Sequence, residues 1–92
     1  MFHEESFINH LEFERRCSPF TVMGYAQDLT HFIKFCTENQ CLTSAAEVRH
    51  LHVRAWIVAL MESGRMAQTV NRKLSCLKTY FKYLKRRDLI ER

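Results

Sequence analysis

Ninety-two residues with 14 Lys or Arg against 10 Asp or Glu form a small chain of formal net charge +4, with only 2 glycines and 1 proline. A chain of this length buries roughly 60–65% of its unfolded surface, enough for one core, which excludes an active site enclosed between domains. The scarcity of Gly and Pro beside abundant Leu, Met, Lys, Arg and Glu points to an all-α domain.

The charge is unevenly placed. Residues 1–46 carry three basic and six acidic side chains, net −3, whereas residues 47–92 carry eleven and four, net +7. Such polarity bears on partners and not on fold. Cysteines 17, 36, 41 and 76 match no disulfide framework and no zinc-site spacing. There is no secretory signal and no apolar run near roughly 18 residues, so the expectation is a cytosolic chain, off the membrane, with reduced thiols. His50 and His52 form an HxH whose two rings do not share a helix face, and neither a metal nor a cofactor is expected.

The first predicted helix runs from Met1 to Arg16, with Phe7, Ile8, Leu11 and Phe13 as its apolar stripe and Glu4 and Glu5 at its N-terminal end. Cys17 interrupts it. Ser18-Pro19 is a start signal, because Ser18 can accept from free backbone N–H groups and Pro19 suits the first helical position. The second helix then runs from Pro19 to about Glu38. Val22, Tyr25, Ala26, Leu29, Phe32, Ile33 and Cys36 form its buried face, and Met23, Gln27, His31 and Lys34 lie opposite. Residues 39–46 read as a loop, and Ser44 to Glu47 matches a capping box that opens only a short turn. The third helix spans about Leu51 to Ser63, with Val53, Trp56, Ile57 and Leu60 inward, and Gly64 ends it. The fourth starts at Gln68 or Thr69 and continues to about Arg87. Residues 88–92 read as the start of a connector.

The fourth helix carries the strongest signal. Residues 65–87 hold eight Lys or Arg (65, 72, 73, 78, 82, 85, 86 and 87) and no Asp or Glu. Val70, Leu74, Leu77, Phe81 and Leu84 recur at helical spacing and mark the face expected to be buried. Opposite them fall Gln68, Arg72, Ser75, Cys76, Thr79, Tyr83 and Arg86, flanked by Lys73, Lys78 and Lys82. A field of one sign suits a polyanion, and duplex DNA has a groove that admits a helix. Arg can bond guanine O6 and N7, Gln can bond adenine, and Ser, Thr and Lys can hold phosphates. On the second helix, Thr21 is one turn in and offers its hydroxyl to a phosphate. No Gly-rich phosphate loop, HExxH, nucleophile elbow or carboxylate pair is present.

Taken in order, Phe7, Leu11, Glu14, Ser18, Thr21, Tyr25, Asp28, Leu29, Phe32 and Phe35 form one block. Gly64, Thr69, Arg72, Leu74, Ser75, Leu77, Lys78, Phe81 and Leu84 form a second. The pattern resembles the N-terminal core-binding domain of tyrosine recombinases, the phage integrase family with its Xer-type members, over nearly the whole chain. The resemblance implies one core-binding domain over residues 1–92. It implies a four-helix SAM-like bundle whose second and fourth helices enter adjacent major grooves of a recombination half-site in double-stranded DNA. The implied contacts are Thr21, Gly24 and Gln27 from the second helix, and Gln68, Thr69, Arg72, Lys73 and Cys76 from the turn and fourth helix. Cys76 stands where a polar reader would serve better, and Phe20 where the family often has His or another polar residue. The family's catalytic residues belong to a separate C-terminal domain, expected after residue 92, so this chain by itself is expected to clamp DNA without cutting it. The resemblance further implies a whole enzyme tetrameric on two sites, and the fragment alone is expected to be a monomer. Two other readings differ in class. Gly64 to Leu77 also reads as the turn and recognition helix of a small helix-turn-helix transcription regulator, which would need a dimer helix or wing. A SAM-like protein-interaction module would need an exposed apolar or acidic patch.

Overall fold

The computed structural model describes residues 1–91, and Arg92 lies outside the described residues. The chain folds as α1 (Glu4–Asn9), a π-helical stretch (His10–Glu14), α2 (Pro19–Asn39), a 3₁₀ turn (Ala45–Glu47), α3 (His50–Glu62) and α4 (Ala67–Arg86). Among the described residues there is no strand. The all-α, four-helix class read from the sequence is the observed one. The radius of gyration, 12.9 Å, is that of a packed chain of this size. None of the described helices is long and apolar enough to cross a membrane.

Local chemistry explains the helix ends. Thr21 N–H donates to Ser18 Oγ at 3.2 Å, and Pro19 occupies the first helical position of α2, as expected. Glu47 Oε1 accepts from Ser44 N–H at 3.0 Å and from Thr43 N–H at 2.7 Å, fixing the short turn. His52 Nδ1 accepts from Arg49 N–H at 2.8 Å, so half of the HxH serves as an N-terminal cap for α3. Gly64, at φ +89°, closes α3 through Gly64 N–H to Met61 O and Arg65 N–H to Leu60 O. Asp88 does the same for α4 at φ 56°: Asp88 N–H reaches Lys85 O and Leu89 N–H reaches Leu84 O. That closure folds Leu89 and Ile90, within the stretch read as the start of a connector, back against the core.

The core is Phe7 and Leu11, then Leu29, Phe32 and Cys36 from α2, Trp56 and Leu60 from α3, and Val70, Cys76, Leu77, Tyr80, Tyr83 and Leu84 from α4. α2 and α4 pack directly on one another, α1 lies across both, and α3 closes the bundle against α4 and α2. The first helix differs from the single expected span. Arg15 N–H bonds His10 O at 3.0 Å, an i→i+5 turn, which carries Leu11 inward and leaves Phe13 69% exposed.

Candidate nucleic-acid interface

The apolar stripe of α4 is rotated from the face the sequence marked. Val70, Lys73, Cys76, Leu77, Tyr80, Tyr83 and Leu84 are buried, whereas Leu74 and Phe81 are only half-buried. At 100° per residue, the buried face centres roughly 60° towards Lys73 and Cys76. Two apolar surroundings account for the shift. Tyr80 and Tyr83 pack on Phe7 at ring-centroid distances of 5.4 and 5.5 Å, and Tyr80 Oη donates to Phe2 O at 2.5 Å. Tyr83 Oη also meets Ser6 Oγ. Leu74 and Phe81 instead border an apolar groove between α3 and α4, with Val48, Val53, Leu89 and Ile90 along it.

Two expected DNA contacts therefore do not face outward. Cys76 is fully buried, its thiol 3.7 Å from Tyr25 O, and burial pushes its pKa up to about 12. It fills the α2–α4 interface as a small apolar side chain. Lys73 is 4% exposed, and its Nζ lies 2.8 Å from Oδ1 of Asp28, itself 3% exposed. A lysine can turn inward here because α2 supplies the carboxylate that neutralises it, a partner that no spacing within α4 could reveal. The ammonium is also 3.4 Å from His31 Nδ1 and 5.9 Å from the centre of the Trp56 ring. His31, expected on the solvent face of α2, is half-buried and meets Trp56 edge to face at 5.6 Å.

The remaining expected contacts are exposed or half-buried. Thr21 and Gln27 are exposed on α2, and Gly24 between them is half-buried with open space above its Cα. Thr21 Oγ1 accepts from Ser18 Oγ at 3.0 Å, which orients that hydroxyl. Gln68 and Arg72 are exposed on α4, and Thr69 is half-buried. Arg72 joins the two helices: its Nη2 donates to Asp28 Oδ1 at 3.0 Å while its side chain stays 61% exposed. Tyr25 with Cys76, Asp28 with Arg72 and Lys73, and His31 with Lys73 tie α2 to α4 along this seam. The exposed strip of α4 continues through Ser75, Lys82 and Arg86. Phe20 and Met23 stand in solvent at the start of α2, 85% and 56% exposed.

The basic face is less unopposed than the sequence suggested. Arg72 and Lys73 share Asp28, and Arg87 bonds both oxygens of Glu14 at 2.8 and 3.0 Å. Among the described residues, Arg65, Lys78, Lys82, Lys85 and Arg86 form no ion pair. They supply the free positive field.

His31 gives the site a pH signature. Desolvation, then the nearby Lys73 and Arg65 charges, hold its pKa below the ordinary 6.5, against the opposing pull of Asp28. The unfolded chain therefore takes up this proton first as pH falls. Stability should decline from about pH 6.5 downward until the folded His31 also titrates. His31→Gln should remove that part of the slope in urea melts recorded between neutral and mildly acidic pH, and an unchanged slope would exclude His31 as its source.

Comparison with known proteins assigns the family. Residues 5–88 match the model of the phage integrase N-terminal SAM-like domain, and the chain belongs to that family. It is 37% identical over 81 residues to a tyrosine recombinase XerC of Halalkalibacterium halodurans, covering 88% of this chain and 26% of that protein. It is 31% identical over 87 residues to a tyrosine recombinase XerC of Oceanobacillus iheyensis, 95% of this chain and 28% of that protein. A XerC of Pseudomonas syringae pv. tomato is 28% identical over 89 residues, 97% of this chain and 29% of the relative. The chain thus spans less than a third of the length of these relatives. No solved structure matches it.

Proposed function

We propose that this chain is the DNA-clamping domain of a site-specific tyrosine recombinase, and that α2 and α4 present its contacts to a recombination half-site. The observation that carries the reading is the exposure of Thr21 and Gln27 on α2 and of Gln68 and Arg72 on α4, with Arg72 bonded across to Asp28 of α2, on a helix that also bears the unpaired cations Lys82 and Arg86. Polar side chains sized for base edges lie next to a positive field sized for phosphates. Thr21, Gly24, Gln27, Gln68, Thr69 and Arg72 are the proposed contacts. Gly24 contributes by letting a phosphate approach the α2 backbone. Lys73 and Cys76 act from beneath as supports of the seam.

Strand breakage and rejoining belong, on this reading, to a longer cytosolic protein whose catalytic domain lies C-terminal to this one and which assembles as a tetramer on two sites. This chain alone is expected to be a monomer that binds duplex DNA and forms no covalent adduct with it. The family assignment takes the place of the helix-turn-helix regulator. A protein-interaction role has one observation of its own, the apolar groove along Val48, Leu74, Phe81 and Leu89.

Salt titrations of the purified chain on mixed-sequence duplexes separate these readings. Lys82→Ala should weaken every duplex alike and reduce the slope of log affinity against log salt by about one. Arg72→Ala should cost about 1–3 kcal/mol on a preferred sequence, relaxing preference at one base. Unaltered DNA affinity in both variants would sink the DNA reading and leave the groove as the binding surface.

A further inference from the structure

We propose that Asp28 is a positioning residue for sequence recognition: one buried carboxylate oxygen holds the Arg72 guanidinium at the α2–α4 seam, and the buried Lys73 supplies the counter-charge that allows a carboxylate to lie under a DNA-facing surface. The inference rests on the proposed DNA-binding function and names how its reading arginine is held.

The geometry is specific. Asp28 Oδ1 accepts from Lys73 Nζ at 2.8 Å on one side and from Arg72 Nη2 at 3.0 Å on the other. Lys73 and Arg72 are neighbours in sequence, so the helix places one ammonium inward and one guanidinium outward around the same oxygen. Lys73 cannot readily leave. Its stem is buried and its head is hemmed by His31 and Trp56, so it is not available to a phosphate and Asp28 keeps its partner. Arg72 has five N–H donors, of which the contact with Asp28 engages Nη2. Donors remain for a bidentate bond to a base edge.

Charge decides why the arrangement needs three groups. An Asp alone at this seam would repel phosphates and cancel Arg72. With Lys73 added, the triad carries one net positive charge, and that charge sits on the one exposed member, Arg72. The tether also orders a long, flexible side chain before DNA arrives, so less freedom is lost on binding. Since Asp28 is on α2 and Arg72 on α4, the same contact fixes the arginine relative to both helices of the proposed clamp.

The test exploits charge balance. Asp28→Asn/Lys73→Met removes a negative and a positive charge together, at nearly constant volume, and leaves Arg72 in place. Asp28→Ala/Lys73→Met removes the acceptor altogether. Folding is verified by urea melts, and either double variant that folds suffices. The probe is a pool of randomised duplexes, sequenced before and after binding to the whole chain. Wild type should enrich at least one base position whose preference Arg72→Ala abolishes. Both double variants should reduce the preference at that position, the Ala form by about fivefold or more. Affinity for the unselected pool and its salt slope should be unchanged, because net charge is conserved. Adding Arg72→Ala to either double variant should cost less preference at that position than Arg72→Ala costs in the wild type, and least in the Ala form, a dependence that a merely structural role for Asp28 would not show. Undiminished preference at the Arg72-dependent position overturns the proposal and leaves the DNA reading standing. A rise in affinity or preference also overturns it, showing that Asp28 masks Arg72. If Arg72→Ala and wild type retain the same sequences, Arg72 is not a reader and the proposal fails while the DNA reading stands; if wild type retains no duplex, the DNA reading fails and the proposal with it.

Discussion

Lys73→Ala is expected to destabilise the domain by about 3–5 kcal/mol, while an exposed lysine such as Lys82 should tolerate the same change within about 0.5 kcal/mol. The side chains of Lys73 and Asp28 are 5% and 4% exposed and 2.8 Å apart, so truncating one strands the other in a water-poor site. Arg72 would still reach Asp28, but from a side chain 61% exposed, where solvent screens it, and that residual partner places the expected loss toward the lower end. In a domain of this size about 1 kcal/mol moves the thermal midpoint by about 4–8 °C, so the variant should melt at least about 12 °C lower. Asp28→Asn/Lys73→Met should recover most of the loss, because it leaves no buried charge unmatched. A midpoint unchanged in Lys73→Ala would mean that Arg72 alone satisfies the carboxylate. Under the proposed function, and at temperatures where Lys73→Ala remains folded, its salt slope should fall by about one, because Asp28 is then left to offset the charge of Arg72.

That result separates what a linear sequence can express from what it cannot. The existence and order of the helices were legible because apolar residues recur at helical period and because Ser18-Pro19 and Gly64 carry their own local chemistry. Arg16, Cys41 and Asp88 adopt left-handed backbone near helix ends without being glycine, and no residue-type rule marks them. The exact face of α4 was not legible. Its apolar spacing fits Leu74 and Phe81 as well as Tyr80 and Leu84, and the choice between them was made by Phe7 and Asp28, which lie far away in the chain. Lys73 and Cys76 were misplaced for that reason. Gln68, Arg72, Thr21 and Gln27 were placed correctly at the surface because they lie well outside either version of the stripe. The role of Asp28 had a faint signal: an acid in the middle of α2 beside the apolar Leu29 and Phe32, forty-four positions from the arginine it meets. Periodicity alone reads such a residue as an edge of the core.

Phe7→Ala should be comparably costly, about 3–5 kcal/mol, and its consequences should be localised. α1 has six residues, too few to persist as a helix without packing. What holds it is Phe7, fully buried, whose ring stacks on Tyr25 of α2 at 6.3 Å and meets Tyr80 and Tyr83 of α4 at 5.4 and 5.5 Å. Each aromatic contact contributes about 0.5–1.5 kcal/mol beyond simple burial, and all three vanish with the ring. The polar ties, Thr30 Oγ1 to Glu4 Oε2 at 2.6 Å and Ser6 Oγ to Tyr83 Oη, are exposed or half-buried and cannot hold α1 alone. Amide exchange in the variant should therefore accelerate most over residues 4–14, while the α3 core around Trp56 and Leu60 keeps its protection. Phe7→Leu retains bulk without the aromatic contacts and should recover a large share of the stability. Under the proposed function the defect should extend to DNA, because Phe7 bridges the two helices whose spacing sets the seam. The Ala variant, assayed well below its midpoint, should then lose preference among sequences more than it loses affinity for DNA in general. If α1 frays and preference is fully retained, α2 and α4 hold their spacing through Asp28, Arg72 and Lys73 without help from the first helix.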